Sequence, residues 1–385
     1  MRFVTDLSKG ILGTPDSPVL WQEIISHIPD EVLLKPNVKI LNVACGHGTE
    51  ADILVKRMYA LGKRPEEVRN SIYVLDKYHV FTKPMRLKGY KHVINADFLT
   101  WEPNMTPDVI LMNPPFQNEN SEATSGKMWI KFIKKALQIL PENGYLACIS
   151  PNSWTKGEIS QQGSGTLLKL LTEQNLIHVN NIDCGSYFPG IGVSFSYFVV
   201  QKADGPSKGT LTQNGKTISV DFRRLRMIPK AINAVSIVNK FYGGPTFQHK
   251  LNTNVVNHLL DLKDVGTTPV YTNGKIRFTE KTGLDESEKI LIPWANDYIK
   301  GIRIGKMVAG DSCVYMTADE NAETLMTVLT SKLYRFCLDQ VRMAHHNEPV
   351  RKFPAVDLTR TWTDEELYAH FELTPEEIEY IEKNG

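Results

Sequence analysis

The chain has 385 residues, of which 42% are hydrophobic and 23% charged, and its formal net charge is +1. This composition is that of a globular protein and excludes disordered, collagen-like and low-complexity chains. No apolar run reaches the roughly 18 residues of a membrane span, and the N-terminus lacks the apolar core of a secretory signal. The sequence therefore predicts a cytoplasmic protein with no membrane partner.

The first half of the chain alternates predicted helices and strands. Apolar residues recur at helical spacing over 18–30, from Thr49 onward, and over 128–140. Short apolar runs between them predict strands at 38–44, 71–75, 92–96, 108–112, 144–150, 177–183 and 193–200. This alternation predicts a doubly wound α/β domain over residues 1–201, with helices on both faces of a parallel sheet.

The pattern changes after Lys202. Residues 211–222 and 269–278 alternate around Asn214-Gly215 and Asn273-Gly274, which predicts two β-hairpins with type I′ turns. One helix is predicted over 322–343, and capping boxes at Thr363 and Thr374 predict two short helices. Residues 202–385 are therefore predicted to form a second, mixed α+β domain.

Charge and cysteines limit the partners and cofactors of this protein. Residues 202–353 carry seven more Lys and Arg than Asp and Glu, whereas 354–385 carry seven more acids. A basic segment favours a polyanionic partner. The five cysteines are scattered and form no CxxC pair, which argues against disulfides or a zinc site. We therefore predict a reducing compartment and no metal.

A glycine-containing loop follows the first predicted strand and precedes a helix. It reads Ala44-Cys45-Gly46-His47-Gly48, and its glycines allow the backbone to approach a ligand at a helix N-terminus. The next strand ends at Asp76, where a carboxylate can accept hydrogen bonds from ribose hydroxyls, and the third is followed by Asp97-Phe98, an acceptor beside an aromatic ring suited to adenine. These features stand at successive strand ends, where open α/β sheets bind nucleotide-like ligands.

The fourth strand ends in Asn113-Pro114-Pro115-Phe116. The exocyclic amine of adenine is a poor nucleophile because its lone pair is delocalised into the ring. The Asn113 amide oxygen and the Pro114 carbonyl can accept hydrogen bonds from the two N–H groups of this amine and direct its lone pair at a methyl donor. Phe116 offers a face on which a base can stack. These four residues are the predicted catalytic loop.

With these motifs the chain resembles the S-adenosylmethionine-dependent adenine-N6 DNA methyltransferases, with the γ order of motifs, and its C-terminal part is similar to restriction–modification methylases of the Eco57I kind. The resemblance implies a Rossmann-like methyltransferase sheet followed by a target-recognition domain. It implies S-adenosylmethionine as cofactor, contacted by Thr14, Ala44, Cys45, Gly46, Gly48, Asp76, Asp97, Phe98 and Asn113. Phe188 is carried over as a second ring that stacks on the flipped base. One position departs from the family pattern: Asn42 stands where the loop usually begins with an acid.

The partner implied by the resemblance is double-stranded DNA, in a bacterial or phage-encoded system. The cations predicted to contact DNA are Arg223, Arg224, Arg226, Lys275, Arg277, Arg342, Arg351 and Lys352. Three alternatives stay open: an RNA adenine methyltransferase, an N5-glutamine protein methyltransferase, and a non-catalytic DNA-specificity subunit. The sequence also leaves open whether a separate cognate restriction endonuclease accompanies the protein.

Overall fold

A computed structural model describes residues 5–6, 11–12, 17–116, 128–159, 165–182, 195–205, 207–247, 250–252, 260–295, 297–310, 312–318, 320–342 and 346–385. The chain divides into two compact units, Met1–Leu225 and Arg226–Gly385.

The first unit is built on a nine-stranded sheet, and a separate short pair, β1 (Thr5–Asp6) and β2 (Ile11–Leu12), precedes it. The nine strands are β3 (Ile40–Val43), β4 (Ile72–Asp76), β5 (His92–Asn95), β6 (Val109–Met112), β7 (Tyr145–Pro151), β8 (Asn175–Ile182), β9 (Phe195–Gln201), β10 (Lys208–Gln213) and β11 (Lys216–Asp221). Their order is β11-β10-β8-β9-β7-β6-β3-β4-β5. From β7 to β5 all neighbours are parallel, and β9 runs antiparallel between β7 and β8. The predicted doubly wound α/β sheet is confirmed.

Seven helices accompany these strands in the described part of the first unit. They are α1 (Pro18–Ser26), α2 (Asp30–Leu34), α3 (Thr49–Ala60), α4 (Pro65–Ser71), α5 (His79–Leu87), α6 (Met128–Ile139) and α7 (Gly165–Thr172). Apolar residues of α1, α3, α4 and α5 pack with alternate strand residues such as Ile40, Val74 and Val109 in one core cluster. The remaining residues of β3 and β6 are also buried, as expected for strands that are covered on both faces.

The order of the strands creates a switch point beside β3. From β3 the chain continues to β4 and β5 on one side, and it then returns to place β6 on the other side. At such a point the loops after two neighbouring strands lead in opposite directions and open a crevice at their carboxyl ends. The glycine loop after β3 and the Asn113 loop after β6 therefore lie on either side of one crevice.

The predicted boundary at residue 201 needs correction. The hairpin β10–β11 has the predicted turn, with φ of 49° at Asn214 and 73° at Gly215. However, β10 pairs in parallel with β8 and so extends the large sheet of the first unit. Composition alone cannot indicate this, because hairpin signals are local and do not reveal which sheet a hairpin joins. The first compact unit reaches Leu225.

The second unit contains two small sheets and several helices, as the predicted α+β class requires. Strands β12 (Lys250–Asn252), β18 (Cys313–Thr317), β15 (Glu288–Pro293) and β16 (Arg303–Lys306) form one sheet, and β14 (Lys275–Thr279), β13 (Thr268–Thr272) and β17 (Val308–Ala309) form the other. The helices are α8 (Val235–Phe241), α9 (Tyr298–Gly301), α10 (Ala322–Thr330), α11 (Lys332–Val341), α12 (Asp364–His370) and α13 (Pro375–Asn384).

Two local predictions for the second unit have different outcomes. The single helix expected over 322–343 is wrong: Ser331 takes extended angles (φ −60°, ψ 157°) and separates α10 from α11. Its side chain accepts a hydrogen bond from Tyr334 N and thereby caps α11. The capping boxes Thr363–Glu366 and Thr374–Glu377 are confirmed, with both reciprocal hydrogen bonds present in each.

A polar network lies between α1 and the β8–β9–β10 part of the sheet. The Tyr197 hydroxyl donates to Glu23 Oε1 (2.6 Å) and lies 3.2 Å from His178 Nε2. Nδ1 of His178 lies 2.7 Å from Thr210 Oγ1, and the His27 ring stacks on that of His178 at 3.7 Å. Burial, with a smaller contribution from His27, lowers the pKa of His178 to about 3. His178 is therefore neutral inside the folded protein at neutral pH.

We expect this histidine to make folding stability depend on pH. Its folded-state pKa is lowered, so the stabilisation is fully present above the unfolded value of about 6.5 and is lost as the pH falls toward 3. Between about pH 7.5 and about pH 5.5 the loss is about 1.4 kcal/mol from this group. Denaturant unfolding at the two pH values should show a smaller loss in His178→Gln than in the parent, whereas the exposed control His79→Gln should keep the full loss. An equal loss in all three proteins would contradict the prediction.

Candidate active site

The glycine loop has the conformation that its sequence predicts. It connects β3 to α3, and Ala44, Gly46 and Gly48 all lie in the left-handed region, with φ of 53°, 47° and 77°. A Cβ added at Gly46 would meet only open space, whereas one at Gly48 would lie 2.5 Å from Met85 Sδ. The positive φ favours glycine at position 48, where Met85 also packs closely, and the backbone at Gly46 faces open space.

Asp76, at the end of β4, holds this loop. Its Oδ2 accepts from Gly46 N (3.1 Å) and its Oδ1 from Tyr78 N (2.8 Å). Cys45 N donates to the carbonyl of Leu75, next to it. The Asp76 side chain is only 5% exposed, and burial raises its pKa although both hydrogen bonds favour the carboxylate. Each oxygen of a carboxylate can accept a second hydrogen bond, so the predicted ribose contact is compatible with these bonds.

The third predicted element, Asp97-Phe98, is only partly suited to its predicted role. Asp97 Oδ1 accepts from Leu99 N (3.0 Å), and its Oδ2 lies 3.8 Å from Lys77 Nζ. The Asp97 side chain is partly exposed. The Phe98 ring, however, is 2% exposed and packs against Phe132 of α6, with ring centroids 5.3 Å apart. The burial does not support the prediction that this ring offers a stacking face to adenine. From the sequence alone, an aromatic residue that follows an acid at a strand end cannot be assigned to a ligand site or to the core.

The predicted catalytic loop begins directly after β6. Val43 of β3 pairs with Leu75 of β4 and with Met112 of β6, so the residues that follow these three, Ala44, Asp76 and Asn113, leave the sheet side by side. Asn113 and Phe116 are partly exposed, Pro114 is buried and Pro115 is exposed. The structure therefore brings Asn113, the glycine loop and Asp76 to one edge of the sheet.

The ring of Phe116 has a well-defined support. It packs against Phe195, the first residue of β9, with ring centroids 4.8 Å apart and an interplanar angle of 42°. It is also one of the partly buried residues in contact with the main core cluster of the first unit. One part of the ring is thus fixed by the core while another part stays accessible. The other predicted stacking residue, Phe188, and Thr14 lie outside the described residues.

Two groups near the loops were not predicted. Asn42 Nδ2 lies 3.5 Å from Glu50 Oε2, and both side chains are 1% exposed, so a buried acid on α3 stands beside the position where the sequence lacks one. Trp154 Nε1 donates to Ser150 Oγ (3.1 Å) and Ser196 Oγ (2.9 Å), which fixes the segment after β7, the strand next to β6. The sequence shows these residues, but it does not show that they contact each other, because the pairing of distant residues depends on strand register.

Several predicted DNA contacts already have partners within the protein. Arg223 donates from Nε to the carbonyl of Thr172 and from Nη2 to that of Glu173, and so caps the C-terminus of α7 in the first unit. Arg277 donates to the carbonyls of Leu262 and Lys263. These two arginines stabilise loops, and their predicted role as free phosphate contacts is not supported. A single sequence cannot distinguish an arginine that binds carbonyls from one that faces solvent.

The other cations that were predicted to contact DNA differ in their exposure to solvent. Arg224, in the first unit, is 86% exposed and lies 3.3 Å from Asp221. Arg342 is paired with Asp339 (2.6 Å). Arg226, Lys275 and Lys352 are exposed, and Arg351 is partly exposed with a buried Nε. The exposed members of this set remain available to a polyanion.

Across the described ranges, no group of three or more His, Cys, Asp or Glu side chains has a geometry that could hold a metal ion. Among the helices that the structure describes, none combines the length and apolar character that crossing a membrane requires.

The sequence matches one family model, described as Eco57I restriction-modification methylase, over residues 62–188. This range includes Asp76, Asp97 and the catalytic loop, and it begins after the glycine loop. The chain is also 26% identical over 199 residues to the Type II restriction enzyme and methyltransferase RM.BcgI of Heyndrickxia coagulans. That alignment covers 47% of this chain and 31% of the relative, so this chain corresponds to about a third of the relative's length.

Solved structures with similar folds include two with low sequence identity. A class I S-adenosylmethionine-dependent methyltransferase from Listeria monocytogenes, described as putative, is 15% identical, with 54% of this chain and 67% of that chain covered and a TM-score of 0.42. The type IIG restriction endonuclease BpuSI is 12% identical, with 93% and 60% covered and a TM-score of 0.48. The resemblance to Eco57I-type restriction-modification methylases, which the motifs predicted, is confirmed by the family match over residues 62–188 of this chain.

Proposed function

We propose that this protein is a site-specific DNA methyltransferase that transfers a methyl group from S-adenosylmethionine to N6 of adenine. The observation that carries the proposal is the placement of Asn113 beside Ala44 and Asp76 at the switch point of the sheet. A methyl donor held by the glycine loop and a target amine held by Asn113 would then be neighbours. The family match over residues 62–188 supports the restriction-modification context.

The residues around the glycine loop fit S-adenosylmethionine. The left-handed backbone at Gly46 borders open space, and the helix α3 that follows has its N-terminus at this loop. Asp76 and Asp97 supply acceptors at the ends of the next two strands, for the ribose hydroxyls and for the adenine side of the cofactor. When bound, the cofactor supplies an electrophilic methyl group. We assign its binding mainly to Ala44–Gly48, Asp76 and Asp97, with Asn113 making a minor contact.

The catalytic loop would orient the nucleophile. The Asn113 amide oxygen and the Pro114 carbonyl accept hydrogen bonds from the two N–H groups of the amine, which directs the nitrogen lone pair toward the methyl group. Pro114 and Pro115 restrict the backbone so that these two acceptors keep a fixed spacing. As the new N–C bond forms, the methyl–sulfur bond of the cofactor would break and S-adenosylhomocysteine would leave. The amine would then release a proton to water, so the chain need not provide a general base with a shifted pKa.

A base in duplex DNA must leave the stack to reach this loop, at a cost of a few kcal/mol. The partly exposed ring of Phe116, fixed by Phe195, offers one stacking face, and stacking contributes about 1–3 kcal/mol per base. We propose Phe188 for the opposite face. Phosphate contacts from exposed cations such as Arg224, Lys275 and Lys352 would contribute affinity independently of sequence.

A methyl-transfer assay with radiolabelled cofactor tests the proposal. Duplex DNA, single-stranded RNA and total protein are offered in parallel, and the labelled product is hydrolysed to nucleosides or amino acids. We expect label in N6-methyladenine from DNA alone. Label in RNA would favour the RNA adenine methyltransferase, label in glutamine would favour the protein methyltransferase, and no label in any substrate, despite cofactor binding, would favour the specificity subunit.

A further inference from the structure

The glycine loop depends on its surroundings for its shape. Three of its five residues have positive φ, and one of them, Ala44, is not a glycine and is therefore strained in that conformation. Within the loop Gly48 N donates to Cys45 O (2.7 Å), and Asp76 fixes the loop from the side of β4. A loop of this kind keeps one conformation only when contacts from outside hold it there.

Lys88, directly after α5, provides such a contact. Its ammonium group donates to the carbonyl of His47 (2.9 Å) and to Asp52 Oδ2 (2.7 Å). His47 belongs to the loop and Asp52 to the start of α3. One side chain therefore links the loop to the helix that follows it.

The same end of α3 is held by Tyr90. Its hydroxyl donates to Asp52 Oδ1 (2.6 Å), so both oxygens of that carboxylate are engaged. Burial, together with the hydrogen bond to Asp52, raises the pKa of Tyr90, which keeps its proton in place as a donor. Met85 of α5 lies close to the loop as well, since its sulfur is 2.5 Å from the position that a Cβ at Gly48 would take.

We propose that Lys88 is a positioning residue that holds the glycine loop in the conformation that binds the cofactor, acting through His47 and Asp52. This inference rests on the proposed function. The Lys88 and Asp52 side chains are 41% and 42% exposed, and a pair so exposed adds little to global stability. Its effect should instead appear in the fraction of molecules with a competent loop, since apparent affinity falls in proportion to that fraction.

The test compares Lys88→Met with Lys91→Met, whose parent side chain donates to Asn70 on α4. Amide hydrogen exchange of the segment Cys45–Thr49 is measured without cofactor, and calorimetry gives the Kd for S-adenosylhomocysteine. We expect Lys88→Met to exchange faster in this segment and to bind about five- to tenfold more weakly. Its KM for the cofactor should rise while kcat at saturation stays near the parent value. Lys91→Met should match the parent in all readouts.

Asp52→Ala and the double variant Lys88→Met/Asp52→Ala complete a cycle. We expect the losses of affinity to be less than additive in the double variant, because either single change already breaks the contact between Lys88 and Asp52. Unchanged exchange in Lys88→Met, or parent-like affinity despite faster exchange, would overturn the proposal. If the parent itself does not bind the cofactor, the proposed function fails, while the exchange data still decide whether Lys88 holds the loop.

Discussion

Replacing Asn113 with alanine should abolish methyl transfer to DNA while leaving the affinity for S-adenosylmethionine nearly unchanged. In the proposed mechanism the amide acts on the target amine, and the cofactor is held mainly by the glycine loop and Asp76. Losing one oriented acceptor where charge develops commonly costs about a hundredfold or more in rate. Single-turnover transfer of a tritiated methyl group measures the rate, and calorimetry measures cofactor binding.

Two further variants test whether the loss of activity is specific to the Asn113 amide. Asn113→Asp keeps a side-chain oxygen at the same distance from the backbone and should retain more activity than Asn113→Ala. Phe116→Ala should cost less, through about 1–3 kcal/mol of lost stacking on the extruded base. Transfer at the parent rate by Asn113→Ala would show that the amide does not act on the amine, whatever the motif suggests.

Replacing Asp76 with alanine should weaken binding of S-adenosylhomocysteine by about thirtyfold or more. A hydrogen bond to a charged group contributes about 1.5–3 kcal/mol, and about 1.4 kcal/mol corresponds to a tenfold change in Kd. The change also removes the acceptors of Gly46 N and Tyr78 N, so part of the loss arises from a loosened loop. Calorimetry measures the total loss.

A modified ligand separates the two contributions. The 2′-deoxy form of S-adenosylhomocysteine lacks one ribose hydroxyl and should bind more weakly than the full ligand to the parent protein. If Asp76 contacts the ribose, this difference should nearly vanish in Asp76→Ala. If the difference persists, Asp76 acts only by holding the loop and the assignment of the ribose contact is wrong.

The fold of the first unit could largely be predicted from the sequence because most of its strands are short, apolar and buried. Each predicted strand from 38–44 to 193–200 corresponds to an observed one, with ends shifted by a few residues. The helices α4 and α5 were missed because their sequences are polar and α5 contains Pro84. The break at Ser331 was missed because α10 and α11 are both amphipathic and no Gly or Pro separates them.

The site was predictable to the extent that strand ends determine it. The registers of β3, β4 and β6 bring Ala44, Asp76 and Asn113 together, as the motif positions suggested. What could not be predicted depends on contacts between distant residues. Burial of Phe98, the capping role of Arg223, and the link from Lys88 to His47 arise from tertiary packing, which leaves no periodic trace in the sequence.

The pairing of β10 with β8 has a practical consequence for work on the separate units. A shortened protein that ends at residue 201 would lose β10 and β11 and leave the outer edge of β8 without its neighbour. A strand edge with free N–H and C=O groups readily pairs with other chains, which leads to self-association. A protein that ends after Leu225 keeps the hairpin as the outer strands of the sheet, and with it Arg223 at the end of α7. For crystallisation or NMR of the first unit, Leu225 is therefore the appropriate end point.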